Sequence, residues 1–419
     1  MNGHAQAVED ERGEPASAVT SVRGCDDSDA ESPTGQFCAS TFEPVADDLP
    51  TIWRLEPHTK AKHDLLRSYL NAFFPIVSQG QWGTKRLVFL DGFAGPGVYE
   101  DGEPGSPIIA MRAIAEAAVD LTGCEFVLIF VEHRADRVAS LHAEIEKFRE
   151  ANGGLSHVRT HVIEGTFIET AEEVLASLEA SGSRLAPTFA MIDPFGFGGA
   201  PMDLIRRLLA FPKCEVFFNL MLDFVNWHVT TDTVFDHMED LFGTTDFAKV
   251  PPAGDPKRHD FLIGLYGDQL RDFAGFDFVS RFRLINLRGR PNVMFHGTRH
   301  RKGLEKIRST MWTLDPVEGD RFDARDDPNL QTLFGGEVDL DPLRTAIVER
   351  FTDQTVTIEQ LEDFVLFETR FDPSKHLRKQ SLVVLEGEGW IDGVENADGR
   401  KRRKNSFPAS CRVTFASDF

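Results

Sequence analysis

Residues 87–97, LVFLDGFAGPG, constrain the fold more than any other stretch of this chain. An apolar run of strand length ends in Asp91, and a turn carrying Gly92, Gly95 and Gly97 follows at once. A strand that is apolar on both faces belongs in a parallel sheet covered on each side by helices. Glycines directly after it let backbone approach a nucleotide-like ligand, because no Cβ stands in the way. Such a turn also serves simply to redirect the chain, so the motif alone leaves both readings open. A second motif, MIDPFGF at 191–197, falls where another strand of the same sheet would end. The pair together points to a ligand site.

A chain of 419 residues has room for a large core and a smaller second domain. Its hydrophobic content of 41% is ordinary for a soluble globular protein. No apolar run approaches the roughly 20 residues that span a bilayer, so no membrane association is expected. The N-terminus has no basic region followed by an apolar stretch, which argues against a secretion signal. Cys25, Cys38, Cys124, Cys214 and Cys411 are scattered without CxxC or Cys/His spacing. They are expected to be reduced thiols in a cytoplasm, and no metal site is expected. The net charge of −22 argues against nonspecific polyphosphate binding over the whole surface. Any nucleic-acid contact must then use local basic patches or a partner.

Residues 1–50 are rich in Asp, Glu, Ser, Gly and Ala with no periodic apolar pattern, and read as a disordered acidic tail. From 51 to 318 strand-like and helix-like runs alternate, which indicates βαβ units. Strands are expected at 86–91, 125–132, 157–163, 188–193 and 215–221. Helices are expected at 61–77, 106–119, 135–151, 168–180, 201–209, 231–241 and 257–273. Ser106-Pro107 reads as a helix start, with a hydroxyl at the N-cap and proline at the first helical position. Two further runs, 276–288 and 292–298, are joined by Gly289-Arg290-Pro291 and read as an antiparallel hairpin.

A polar, acidic linker covers 319–339, and 340–419 form a smaller unit. Helices expected at 341–352, 357–369 and 373–386 precede a strand near Gly389-Trp390-Ile391, a basic run at 400–404 and a strand at 411–415. Three helices and two strands with a basic turn between them describe a winged helix-turn-helix. A helical cap whose hairpin packs on the core is the alternative, and winged helices serve protein contacts as well as DNA.

Five strands in βαβ order closed by an antiparallel hairpin resemble the Rossmann-like fold of class I S-adenosylmethionine-dependent methyltransferases. That resemblance implies S-adenosylmethionine as cofactor, with Asp91, Phe93, Gly95, Gly97, Glu132 and Glu164 as the cofactor-binding set. Gly95 and Gly97 would admit the amino-acid portion. Glu132, at the end of the second strand, can accept both ribose hydroxyls, and Glu164 can help hold the adenine edge. Glu132 could instead be an exposed strand-end acid. Asp193 and Phe195 are the candidate catalytic pair: a carboxylate to accept hydrogen bonds from an exocyclic amine, and a flat face for a base. Methyl transfer then needs mainly in-line placement and a modest base. Otherwise Asp193 caps the next helix and Phe195 and Phe197 pack in the core, a real alternative in a chain with 35 phenylalanines.

Several segments together resemble the three-Cys-motif partner protein family (TcmP): TKAKHDLLRSYL at 59–70, LDGFAGPGVY at 90–99, Gly105-Ser106-Pro107, IDPFG at 192–196 and HRKGLEKIRSTMW at 300–312. The resemblance implies a partner carrying a three-cysteine, iron–sulfur-type motif, which this chain itself lacks. DPFG is also similar to the motif of tRNA guanine-N2 dimethyltransferases. It departs from the Asp/Asn-Pro-Pro-Tyr form at Phe195, which disfavours an adenine-N6 acceptor. Lys62, His63 and Tyr69 could reach cofactor or phosphate, although Tyr69 would serve equally as an aromatic anchor. His300, Arg301, Lys302, Lys306 and Arg308, with Arg400, Lys401, Arg402, Arg403 and Lys404, are the candidate phosphate contacts. The leading expectation is a methyltransferase acting on DNA or RNA at an exocyclic base amine. The alternative is a noncatalytic module that positions the three-cysteine partner on its target.

Overall fold

In the computed structural model, which describes residues 50–79, 84–153, 155–196, 198–326, 338–396, 402–403 and 405–417, helices and strands alternate along the first two-thirds of the chain. Helix α1 (Pro57–Gln79) leads into β1 (Arg86–Asp91), α2 (Ser106–Ala115), β2 (Glu125–Glu132) and α3 (Ala135–Ala151). Then follow β3 (Val158–Glu164), α4 (Phe167–Ser181), β4 (Thr188–Ile192), α5 (Met202–Leu208) and β5 (Glu215–Leu220). After them come α6 (Leu222–His228), α7 (Phe235–Phe242), α8 (Arg258–Asp272), β6 (Phe278–Ile285), β7 (Pro291–Thr298), α9 (Arg301–Leu314) and β8 (Arg321–Asp323).

The strands form one sheet in the order β3-β2-β1-β4-β5-β7-β6-β8. Its first five strands are mutually parallel, and β7 runs antiparallel to both β5 and β6. A mostly parallel mixed α/β sheet with a late antiparallel hairpin is the arrangement the sequence leads one to expect. Alternation along the strands explains the two apolar layers. Phe89, Phe189, Met191 and Phe217 face the layer of α1, α2 and α9, while Leu90, Ala190, Ile192 and Phe218 face that of α5, α7 and α8. Phe189 has no exposed surface, and its ring lies 5.0–6.0 Å from those of Tyr69, Phe73, Phe89 and Phe217. Phe189→Ala should therefore cost about 3–5 kcal/mol.

In the sheet-bearing part, β8 and α6 were not expected from the sequence. Residues 321–323 lie in the span read as linker, yet they add β8 beside β6. The three-residue pairing is too short to leave a periodic signal. Helix α6 follows β5 directly and was hidden in the apolar run around it.

The C-terminal unit contains α10 (Asp341–Phe351), β9 (Thr355–Thr357), α11 (Ile358–Glu368), a π-helical segment Pro373–Leu382, α12 (Val383–Gly387), β10 (Ile391–Asn396) and β11 (Cys411–Phe415). Its small antiparallel sheet has the order β10-β11-β9. Thr357 starts α11 with a capping box completed by Gln360. The third expected helix begins as a π-helix, a local widening that a pattern of apolar residues does not encode. Trp312 of α9 lies in this unit's apolar core and donates to the Arg370 carbonyl at 2.9 Å. Among the described residues no helix is long and apolar enough to cross a membrane.

Candidate active site

Strand β1 delivers Asp91 to the carboxyl edge of the sheet, fully buried. One carboxylate oxygen accepts the Phe93 N–H at 3.2 Å, and the other has no hydrogen-bond partner. Burial pushes its pKa up to about 7, and Asp193 adds to the rise. The Ser106 hydroxyl, the Phe93 N–H and the Lys62 charge offset part of it. Ser106 is thus not the N-cap of α2. Gly105 takes that position, without a side-chain cap.

The turn after β1 needs its glycines. Gly95 and Gly97 have φ of 63° and 81°, the left-handed region that a Cβ disfavours. A Cβ on Gly97 would also lie 2.8 Å from the Leu141 side chain, whereas one on Gly95 would meet only Trp53, at 3.8 Å. The Gly95 N–H donates at 3.0 Å to one oxygen of Glu132, and the Arg134 N–H donates at 2.9 Å to the other. Glu132 is therefore no exposed strand-end acid: it is 5% exposed and held at the glycine turn. The oxygen that accepts from Arg134 also lies 3.2 Å from His133 Nδ1, and the other retains a second lone pair for a ligand hydroxyl. Glu164 pairs in register with Glu132 on β3 and is exposed. The Phe93 ring lies 6.1 Å from that of Phe167, and a Cβ on Gly199 would sit 3.4 Å from it, so it bridges the glycine turn and the loop after β4.

Asp193 follows β4 at the same edge. Its Oδ2 accepts Lys62 Nζ, and its Oδ1 accepts Asn219 Nδ2 at 2.7 Å. The carboxylate does not cap the following helix; Pro201 holds that position in α5. Phe195 is 45% exposed and does not pack in the core, while Phe197 lies outside the described residues. The buried Asn219 Oδ1 has no partner, leaving one acceptor beside Asp193.

Helix α1 closes the site from above. Lys62 and His63 are both buried on it, and burial, reinforced by the Lys62 charge, lowers the His63 imidazole to about 3. Its Nδ1 has no partner, and its ring centroid is 5.5 Å from that of Tyr99. Trp53 packs edge-on to Tyr99 at 5.6 Å, under the Arg137 guanidinium. Sequence reasoning missed Trp53, Tyr99 and Asn219. A lone asparagine within EVFFNLML and the Tyr99 that ends LDGFAGPGVY were usable signals; Trp53 carried none.

Tyr69 lies elsewhere. Its hydroxyl donates to Glu215 at the start of β5, the opposite edge of the sheet, where Thr298 also donates at 2.7 Å and His296 lies 3.3 Å away. Arg301 and Lys302 are at that opposite edge too, at the start of α9. Arg301 pairs with Asp363 at 2.7 Å and Glu305 at 3.3 Å, and Lys302 with Glu305 at 2.9 Å. Arg308 donates to the carbonyls of Thr369 and Phe371 and so fastens α9 to the C-terminal unit. Arg402 differs from the exposed cation expected of it. Its side chain, 14% exposed, binds Glu386 and the Ser406 carbonyl and covers the Phe407 ring at 5.1 Å. Arg403 is exposed; Arg400, Lys401 and Lys404 lie outside the described residues. Asp91, Phe93, Gly95, Gly97, Glu132, Glu164, Asp193 and Phe195 thus share one edge, and Arg301 and Lys302 do not join them. Among the described residues no group of three or more His, Cys, Asp or Glu side chains is placed to hold a metal ion.

Neither a family model nor a curated protein matches the chain. Among solved structures it is similar to an O-methyltransferase from Bacillus cereus in complex with SAH, at 11% identity and a TM-score of 0.33, over 61% of this chain and 86% of that one. It is also similar to the O-methyltransferase TomG from Streptomyces achromogenes, involved in tomaymycin synthesis and in complex with SAM. There the identity is 14% and the TM-score 0.31, over 61% of this chain and 85% of that one.

Proposed function

We propose that this chain is an S-adenosylmethionine-dependent methyltransferase whose acceptor is an exocyclic amine of a nucleic-acid base. One observation carries the reading: a left-handed glycine turn, a buried carboxylate clasping it and a second carboxylate flanked by an exposed aromatic ring meet at one sheet edge. The residues fit the cofactor. Glu132 would hold the ribose hydroxyls, with the exposed His133 ring giving up its contact to one oxygen. The unpartnered Asp91 oxygen suits an ammonium group, Gly95 and Gly97 admit the amino-acid portion, and Glu164 and Phe93 stand at the adenine side. When bound, the cofactor supplies an electrophilic methyl group on a sulfonium.

Asp193 and Asn219 orient the acceptor amine, with the Asn219 oxygen as an open acceptor and Phe195 as a flat apolar face. Lys62 holds the Asp193 carboxylate in place. The C-terminal order of helix, strand, two helical segments and two strands supports a winged-helix reading, with 340–419 as a unit that meets nucleic acid or a three-cysteine partner through the basic run 400–404.

The test is mass spectrometry of ligand retained by the purified protein, followed by tritiated methyl transfer onto bulk DNA, RNA and the three-cysteine partner. Retained cofactor and label in DNA or RNA are expected. Retained cofactor with no transfer to any of them, partner present, would establish the noncatalytic positioning module instead.

A further inference from the structure

The mouth of the acceptor site continues into a strip of rings. Gly196 has φ of 85°, and a Cβ on it would lie 2.9 Å from the Phe224 ring, so α6 packs directly against the loop after Asp193. Phe224, Trp227 and His228 share one face of α6, since residues three and four apart are neighbours on a helix. The Phe224 and His228 ring centroids are 4.8 Å apart. Trp227 is 53% exposed, unusual for the side chain with most apolar area to hide. The Arg290 guanidinium lies 4.5 Å from its ring centroid, with its Nε 3.7 Å from Asp223. Arg290 belongs to the β6–β7 turn, which the antiparallel pairing of β5 with β7 brings to the Asp193 edge, and the exposed Arg288 is beside it.

We infer that Trp227 and Arg290 form a stacking subsite for a nucleobase next to the acceptor base, and hence that the substrate strand is single-stranded. The inference deepens the proposed function and rests on its placement of the acceptor at Asp193. A ring open to solvent on one face takes a base whose own face is free, which an intact duplex does not offer. The adjacent arginines suit the phosphates on either side of that base. Stacking accepts any base, so the subsite fixes strand state and leaves sequence choice to the acceptor pocket. With two cations in so acidic a protein, binding should depend only mildly on salt, at about 0.7 in the log–log slope per phosphate.

The experiment titrates oligodeoxythymidylate and, separately, oligouridylate into the full chain while following tryptophan fluorescence. Trp227→Phe serves as the reference that removes this residue's signal but keeps a ring. Quenching is expected in the wild type and not in Trp227→Phe, with near-normal affinity in the latter. Trp227→Ala should bind about ten- to a hundredfold more weakly. Arg290→Ala should lower the salt slope by about 0.7. The stronger of the two arms identifies DNA or RNA. Failure of both oligonucleotides to bind, or wild-type affinity in Trp227→Ala, overturns the subsite, and loss of only the three-cysteine partner in Trp227→Ala reassigns the ring to protein docking. Methyl transfer is read separately, on single-stranded DNA and RNA of mixed sequence, because thymine and uracil carry no exocyclic amine to accept the methyl group. Quenching without transfer would sink the methyltransferase reading and leave the subsite, whereas transfer indifferent to Trp227 would do the reverse.

Discussion

Lys62 of α1 and Asp193 after β4, 131 residues apart, form an ion pair that ties the first helix to the centre of the candidate site. Asn219 of β5 holds the other oxygen of the same carboxylate. The Asp193 carboxylate is thus positioned by two elements, and its geometry depends on both.

Lys62→Met and Asp193→Asn should each abolish methyl transfer while leaving cofactor affinity within a few-fold. Each removes an orienting charge and neither touches the glycine turn. In a double-mutant cycle on unfolding free energy, the pair should couple by about 1 kcal/mol, modest because Asp193 is partly exposed. Additive effects would show that the two side chains do not act together.

Glu132→Ala should weaken cofactor binding by roughly ten- to a hundredfold, the worth of charge-assisted bonds of about 1.5–3 kcal/mol. The Gly95 and Arg134 amides would also lose their acceptor, so Glu132→Gln separates the effects by keeping one oxygen for the turn. Calorimetry on both folded variants checks this. Unchanged affinity in Glu132→Ala would remove the residue from the site.

Asp91 makes stability depend on pH. Burial raises its pKa from 3.8 to about 7, so in that window the folded protein holds a proton that the unfolded chain gives up. Its contribution to stability is fully present below about pH 4 and is lost as the pH rises through 7. Asp91→Asn should therefore gain on the wild type between pH 5 and pH 8, by about 2–3 kcal/mol, the roughly two pH units below the folded pKa at about 1.4 kcal/mol each. Urea unfolding at the two pH values measures the difference. A constant offset between the two proteins would mean that the carboxyl does not titrate there.

Tyr69→Phe should destabilise by about 1–3 kcal/mol, because the buried Glu215 loses a donor. Cofactor affinity and methyl transfer per folded molecule should stay unchanged, since this network sits at the far edge of the sheet. A Tm decrease with unaltered calorimetric binding is the expected pair of results. Lost transfer at constant stability would return Tyr69 to the chemistry.

The sequence alone determined β1, β2, α3 and the β6–β7 hairpin, along with the placement of Asp91, Glu132 and Asp193 at strand ends. Apolar runs and the glycines bounding them are local signals, and a strand's end follows from its own residues. Tertiary structure decided what those residues meet. Nothing local in TKAKHDLL says that Lys62 will find Asp193 while Tyr69, two turns on, finds Glu215 at the opposite edge. The helix crosses the sheet, and its two halves serve different edges. Composition likewise identified Arg301, Lys302 and Arg402 as cations, but whether a charge reaches a ligand depends on which acidic side chain the fold brings beside it. Here Asp363, Glu305 and Glu386 are those neighbours. Trp227 and Arg290, 63 residues apart, meet because β7 runs antiparallel beside β5, a pairing set by long-range sheet assembly that no local sequence pattern encodes.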